Sequence, residues 1–363
     1  MKAYLDYAAT TPLDGEILEK MLPYLKGQYG NPDSLHACGR EAAYAVSEAR
    51  DRAAAALGVQ PAEVYFTSGG TEADNWAVRG IGGGRVCVSA IEHQAVFSAA
   101  KLREGGVSVI PATEAGAVAP QDAERTLTAD TGLVCVMAVN NETGCIQPVR
   151  EISELCRARG VYFFSDCVQA ADTCDLKSLA VCCDAISLSG HKIYGPKGTG
   201  ALVVKKGVPL RPLIVGGEQE RGLRGGTLNV AGIVGFSFAL EKAQREREEA
   251  AAKAARLRVL AIGRLTAALG GDIGIDGENC APHILHLTPK RGGTALINRL
   301  DLLGVACSGG AACSAHSALP SHVMLAMGRS EEAAERGIRF SFGKETTEEE
   351  VLFAADALIA CCK

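Results

Sequence analysis

The stretch SLSGHKIYGPKG, Ser187 to Gly198, places Lys192 after an apolar strand-like run, DAISLS, and just before a Gly-Pro turn. A lysine there becomes a nucleophile when desolvation or neighbouring positive charge disfavours its protonated form, as bonding to an aldehyde cofactor requires. Two further strand-like runs end in comparable chemistry. VYFFSDCVQA brings out Asp166 three residues before Gln169, and YFTSGGTEADNWAV follows its strand with a glycine turn and a helix start. In an open α/β sheet, ligands sit beyond the carboxyl ends of the strands, so a carboxylate emerging there can meet a cofactor; a plain helix N-cap is the alternative reading. Gly69 and Gly70 offer backbone amides and a positive helix end to an anion, with the Thr71 hydroxyl beside them. A Ser/Thr-Gly turn that merely caps a helix is the plainer reading, and no P-loop Gly-Lys-Ser/Thr follows. Taken together, a phosphate cup, an acid for a pyridinium nitrogen and an imine-forming lysine match what pyridoxal phosphate asks of a protein. Lys197, beyond the proline, is expected to be a solvated turn residue.

These residues need a frame of strands and helices. Runs at 64–66, 86–90, 133–139, 161–165, 185–189 and 201–204 are apolar on both faces, as in a largely parallel sheet covered on each side. Helical patterns alternate with them, including Glu41 to Leu57 and Val149 to Gly160, which is the α/β signature. An Ala-, Glu- and Arg-rich stretch from about Leu228 to Leu269 predicts one long helix. Shorter elements follow, and the change of rhythm predicts a smaller α+β lobe beginning near residue 255. Thr347 with Glu350 forms a capping-box start for the last helix.

Composition narrows the partners. A chain of 363 residues with 47% hydrophobic residues can bury a sizeable core, and a net charge of -5 lacks the basic excess of a nucleic-acid or anionic-membrane binder. No signal-peptide core or membrane span is apparent, so a soluble cytoplasmic protein is expected. The 14 cysteines sit mostly in apolar runs such as VCVSA and LVCVMAV, where they act as small core residues and imply no disulfide framework. Cys182 with Cys183, Cys361 with Cys362, and Cys307 with Cys313 lack CxxC spacing, so no dedicated metal site is expected.

In order along nearly the whole chain, the segments YLDYAATTP, FTSGGTEADN, EHQAV, VNNETG, SDCVQ, SGHKIYGPKG, ERGLRGGT, SGGAACS and IRFSFGKETTEEE resemble those of the NifS/IscS-type cysteine desulfurases of the class V aminotransferase superfamily. The resemblance implies a homodimeric enzyme of fold type I, with a mainly parallel central sheet flanked by helices and a smaller α+β lobe. It implies a large pyridoxal-phosphate-binding domain over 14–255 and a small domain over 1–13 plus 256–363. Such an enzyme takes sulfur from L-cysteine, leaving L-alanine and a persulfide on an enzyme cysteine, for iron-sulfur cluster assembly or tRNA thiolation through a scaffold or other acceptor protein. Carried over by motif, Lys192 would hold the cofactor, Asp166 would face the pyridine nitrogen, and His93 would stack on the ring. Gln169 would reach the ring hydroxyl, and Asn141 would lie in the cofactor and substrate site. Gly70, Thr71, Ser189 and His191 would hold the phosphate, with Thr227 reaching the phosphate of the other subunit.

The same resemblance assigns sulfur acceptance to Cys313 of SGGAACS. Its flanking Gly, Ala and Ser give a backbone able to carry a cysteine between a buried substrate and an outside acceptor. A free thiol, with pKa ~8.5, is mostly protonated at neutral pH, so a base or cation must lie nearby in the reacting state, and His93 is a candidate. Arg339 of IRFSFG would anchor the substrate carboxylate through a bidentate contact, whereas Arg336 reads as surface. Ser314, Cys167 and Cys145 depart from the usual family pattern while conserving size. The chain stops at Lys363, short of the extension many housekeeping members use to dock a scaffold, which leaves scaffold identity open. Transient ligation of a cluster by Cys313 is also left open. A selenocysteine lyase or other class V lyase or aminotransferase would keep Lys192 and Asp166 without depending on Cys313. A non-catalytic sulfur-relay protein would not need the intact Lys192, Asp166 and His93.

Overall fold

The computed structural model describes residues 2–291, 294–309 and 320–362. Cys313 and Ser314 lie outside the described residues.

The strands, in chain order, are β1 (Ala3–Tyr4), β2 (Val64–Thr67), β3 (Arg85–Ser89), β4 (Val107–Ile110), β5 (Thr131–Cys135), β6 (Tyr162–Asp166), β7 (Ala185–Ser189), β8 (Gly200–Val204), β9 (Ile273–Asp276), β10 (Ile284–Pro289), β11 (Val305–Ala306) and β12 (Ile338–Ser341). Among the described residues they form three sheets. The largest has the order β2-β8-β7-β6-β5-β3-β4, parallel throughout except for β8, which runs against both its neighbours. Its inner strands are buried on both faces, which explains why Phe163 and Phe164 in β6 and Leu202, Val203 and Val204 in β8 stand at consecutive positions. A second sheet, β12-β10-β9, is antiparallel, and β1 pairs with β11.

The helix Val230–Leu269 runs unbroken through residue 255. Its first half puts Ile233, Phe236 and Leu240 into the core beneath the large sheet, and its last turns put Leu257, Ala261 and Leu265 into a second core. That second core also takes Ala3 and Leu5 from the N-terminus and Leu285, Phe340 and Leu358 from the C-terminal part. Among the described residues, no helix is long and apolar enough to cross a membrane.

An edge strand exposes unpaired backbone groups, and β2 is such an edge. Glu220 covers it: its carboxylate accepts from the Phe66 amide at 2.9 Å and from both terminal nitrogens of Arg50 at 2.6 and 2.9 Å. Arg50 and Arg221 donate in turn to the Val64 carbonyl at 2.7 and 2.9 Å. Glu220 is buried, and removing one partner of a buried pair leaves the other charge without compensation. Glu220→Ala is therefore expected to cost about 3–5 kcal/mol of stability, read as a lowered urea midpoint. An unchanged midpoint would contradict this role.

Candidate active site

The carboxyl ends of β2, β6 and β7 point the same way, because β8 lies antiparallel between β2 and β7. Beyond them opens a cavity of about 560 Å³, within the usual range for a small-molecule site. Lys192, Asp166, His93 and Arg339 all line it. So do Gly70, Thr71, Asn141, Gln169, Ser189 and His191, which completes the set expected from the sequence except for Thr227 and Cys313. Thr227 is exposed in the loop before the long helix and does not line this cavity.

Each side chain owes its place to a local break in regular structure. β7 ends at Ser189, and the single turn Gly190–Lys192 carries His191 and Lys192 straight off the strand. Lys192 Nζ donates to the carbonyls of Ala8 and Ala9 at 2.6 and 2.7 Å, so the N-terminal segment forms one wall. β2 ends at Thr67, after which Gly69, at φ 150°, leads into the helix Gly70–Gly80 as an N-cap residue with no side chain to cap it. A Cβ on Gly70 would come within 2.8 Å of Val168 Cγ2, so only glycine keeps this cradle open. First-turn amides, the Thr71 and Ser189 hydroxyls and His191 together suit a phosphate. Burial, with Lys192 and Lys197 nearby, pulls the His191 imidazole down to about 4, so this ring is neutral at pH 7. Lys197 is exposed, as expected of a turn residue, yet also lines the cavity.

Asp166 closes β6, and its carboxylate accepts from the Val168 amide at 2.8 Å. Burial raises its pKa, while His93 and Lys192 pull it back. A cationic ring nitrogen would supply the charge that this buried carboxylate lacks, so the residues present fit a pyridinium cofactor. Gln169 donates to the Ala8 carbonyl at 2.9 Å. His93 caps the helix Gln94–Lys101, its Nδ1 accepting from the Ala95 amide at 3.2 Å. Arg339, only 2% exposed, donates to Asp6 at 2.8 Å and to the Asn141 carbonyl at 2.7 Å. Among the described residues its buried Nε has no hydrogen-bond partner, which suits a guanidinium to binding a carboxylate.

Two buried acids were not singled out in the sequence. Asp74 accepts from Ser187 at 2.6 Å, and burial together with Asp166 raises its pKa well above normal. Glu92 accepts from Ser89 at 2.5 Å and from the Met137 amide at 2.7 Å, while its other oxygen has no partner among the described residues. Burial pushes this carboxyl up to about 8. Between the ordinary carboxylate range and that value the folded chain keeps a proton that the unfolded chain gives up, so stability from this group falls as pH rises. Glu92→Gln keeps both accepted hydrogen bonds and cannot ionise. The variant's thermal midpoint is therefore expected to fall less steeply than wild type from pH 5 to 8 and to lie a few degrees higher at pH 8. Parallel pH profiles would refute a protonated Glu92.

The residues bounding 310–319 are tied to this site. Ser308 and Arg339 exchange backbone hydrogen bonds at 3.3 and 2.7 Å, and the Ser321 hydroxyl donates to Glu142 at 2.5 Å.

A buried acid and a lysine at the strand ends of a mainly parallel sheet define a cofactor-using α/β enzyme, and residues 3–353 match the family model described as aminotransferase class-V. A cysteine desulfurase IscS of Clostridium botulinum is 39% identical over 98% of this chain and 93% of its own length. One of Methanosarcina thermophila is 40% identical over 96% and 89%. Among solved structures, a NifS-like protein superposes with a TM-score of 0.90 at 35% identity, covering 99% of both chains. SspA in complex with cysteine gives a TM-score of 0.83 at 31% identity over 95% and 100%. The chain belongs to the cysteine desulfurases of the NifS/IscS type, within the class-V aminotransferase family.

Proposed function

We propose that this chain is a pyridoxal-phosphate-dependent cysteine desulfurase that converts L-cysteine to L-alanine and leaves the sulfur as a persulfide on Cys313. The observation that carries the reading is the convergence of Lys192, Asp166, His93 and Arg339 on one cavity. A related protein, SspA, is in complex with cysteine, which supports the substrate.

Lys192 would hold the cofactor covalently, Asp166 its ring nitrogen, His93 its ring face, Gln169 its ring hydroxyl, and Gly70, Thr71, Ser189 and His191 its phosphate. When bound, the cofactor supplies an electron sink for the substrate's α-carbon. Arg339 takes the substrate carboxylate, with Asn141 beside it, and so sets which face of the α-carbon meets Lys192. Lys192 Nζ would be the base that removes the substrate's α-proton. Asp166 would pair with the ring nitrogen as a carboxylate and so keep that nitrogen protonated. The Cys313 thiolate attacks the substrate sulfur: an S–S bond forms, the substrate's C–S bond breaks, and the carbon skeleton leaves as alanine. His93 handles the proton released when Cys313 ionises. In sum, L-cysteine and one protein thiol become L-alanine and one protein persulfide. An iron-sulfur scaffold or other acceptor protein then takes the sulfur.

A homodimer completes the site in this reading, with Thr227 serving the cofactor phosphate of the second copy. The direct test is to incubate the purified chain with pyridoxal phosphate, L-cysteine and a thiol reductant. Alanine and sulfide are expected in equal amounts. Alanine without sulfide, or neither product, would refute the assignment.

A further inference from the structure

Cys145 and Cys280 lie outside the cavity, with their sulfurs 3.6 Å apart. The Ile146 amide donates to the Asn279 carbonyl at 3.0 Å and the Ala281 amide to the Gly144 carbonyl at 2.8 Å. The two cysteines between these bonds thus form a non-hydrogen-bonded antiparallel pair. Such pairs hold Cα atoms ~4.5 Å apart, inside the ~4.4–6.8 Å that a disulfide spans. Two glycines make room for the sulfurs. A Cβ on Gly277 would come within 2.4 Å of Cys145 Sγ and 2.9 Å of Cys280 Sγ, and one on Gly116 within 2.5 Å of Cys145 Sγ. Cys145 is buried, whereas Cys280 is partly exposed. The hydrogen bond with Cys280 pulls the Cys145 thiol down to about 7, the same contact holds the Cys280 proton on, and Arg258 lowers both. The pair therefore shares one proton near neutral pH.

We propose that Cys145 and Cys280 form a thiol–disulfide switch that reacts with low-molecular-weight disulfides. Passing the shared proton to Cys145 leaves Cys280, the sulfur solvent reaches, as thiolate. It attacks one sulfur of the small disulfide, forming a mixed disulfide and expelling one small thiolate. Cys145 loses its proton and attacks the Cys280 sulfur, expelling the second. Two protein thiols are oxidised to one disulfide, and the small disulfide is reduced to two thiols.

The bond would fasten together two elements that meet at Arg339. Cys145 ends the turn that carries Asn141, whose carbonyl Arg339 holds. Cys280 lies just before β10, where His286 pairs with Arg339 of β12. Closure therefore fixes both sides of the substrate end of the cavity and slows L-cysteine turnover several-fold, reversibly with dithiothreitol. That last consequence rests on the desulfurase reading, whereas the sulfur chemistry does not.

The test treats the full-length protein with oxidised glutathione, alkylates the remaining thiols and maps unreduced peptides by mass spectrometry. The expected result is a peptide pair joined through Cys145 and Cys280, two hydrogens lighter than the sum of its parts. Cys145→Ser should retain glutathione on Cys280, because nothing resolves it, and Cys280→Ser should leave Cys145 as an alkylated thiol. The oxidised wild type should also melt several degrees above the reduced form, a gain absent in Cys280→Ser. Recovery of both cysteines as alkylated thiols, or glutathione kept on Cys280 in the wild type, would overturn the proposal.

Discussion

Lys192→Ala is expected to slow alanine formation from L-cysteine by at least about 10³-fold, since positioned acid–base groups alone supply about 10²–10⁴. The size follows from two duties placed on one amine, covalent retention of the cofactor and removal of the α-proton. Among the described residues that line the cavity, the only other lysine is Lys197. Lys197 reaches the cavity rim but is exposed, whereas Lys192 is held by the Ala8 and Ala9 carbonyls at the strand end. A readout independent of turnover is available. Borohydride treatment should fix the cofactor to the peptide carrying Lys192 in wild type and should fix none there in the variant. Cofactor fixed to a different lysine in wild type would move the assignment elsewhere.

Asp166→Asn is expected to lower turnover by about 10²–10³, the usual loss when one preorganised electrostatic partner is removed. The amide is nearly isosteric, and its oxygen can still accept from Val168, which is 2.8 Å away from the present carboxylate. It cannot hold a proton on a ring nitrogen. Because burial already disfavours the Asp166 charge, the cofactor-free variant should melt no lower than wild type at pH 7. Lost activity together with an undiminished melting point separates an electrostatic role from a structural one. A variant that keeps full activity would exclude Asp166 as the partner of the ring nitrogen.

Much of this site could be read from residue order, for a physical reason. Lys192, Asp166 and the Gly69–Gly70 turn each follow a largely buried strand, and strand ends of a parallel sheet converge on one edge whatever the loops between them do. Asp74 and Glu92 could not be read the same way. Acids near the start of a helix ordinarily face solvent and favour the helix dipole, and only the packing of the helices on the sheet buries these two. Boundaries moved for local reasons. The helix expected from Glu41 begins at Ala37, because His36 caps it by accepting from the Gly39 amide at 3.3 Å. The run 133–139 reads as one strand, yet β5 ends at Cys135. Val136 and Ala138 still bond to the Phe164 and Asp166 carbonyls, while Met137 turns its amide to Glu92. Cys145 stands out in the sequence as a departure from the family pattern, but its neighbour Cys280 is brought to it only by the fold.

The central claim is that sulfur leaves L-cysteine for Cys313. The most direct measurement gives the cofactor-loaded protein L-cysteine with isotopically labelled sulfur and no reductant, alkylates it after one turnover, and weighs the peptide that contains Cys313. The predicted result is one extra, labelled sulfur atom on that peptide, matched by one equivalent of alanine. Alanine formed with the labelled sulfur on another cysteine, or on none, would contradict the account.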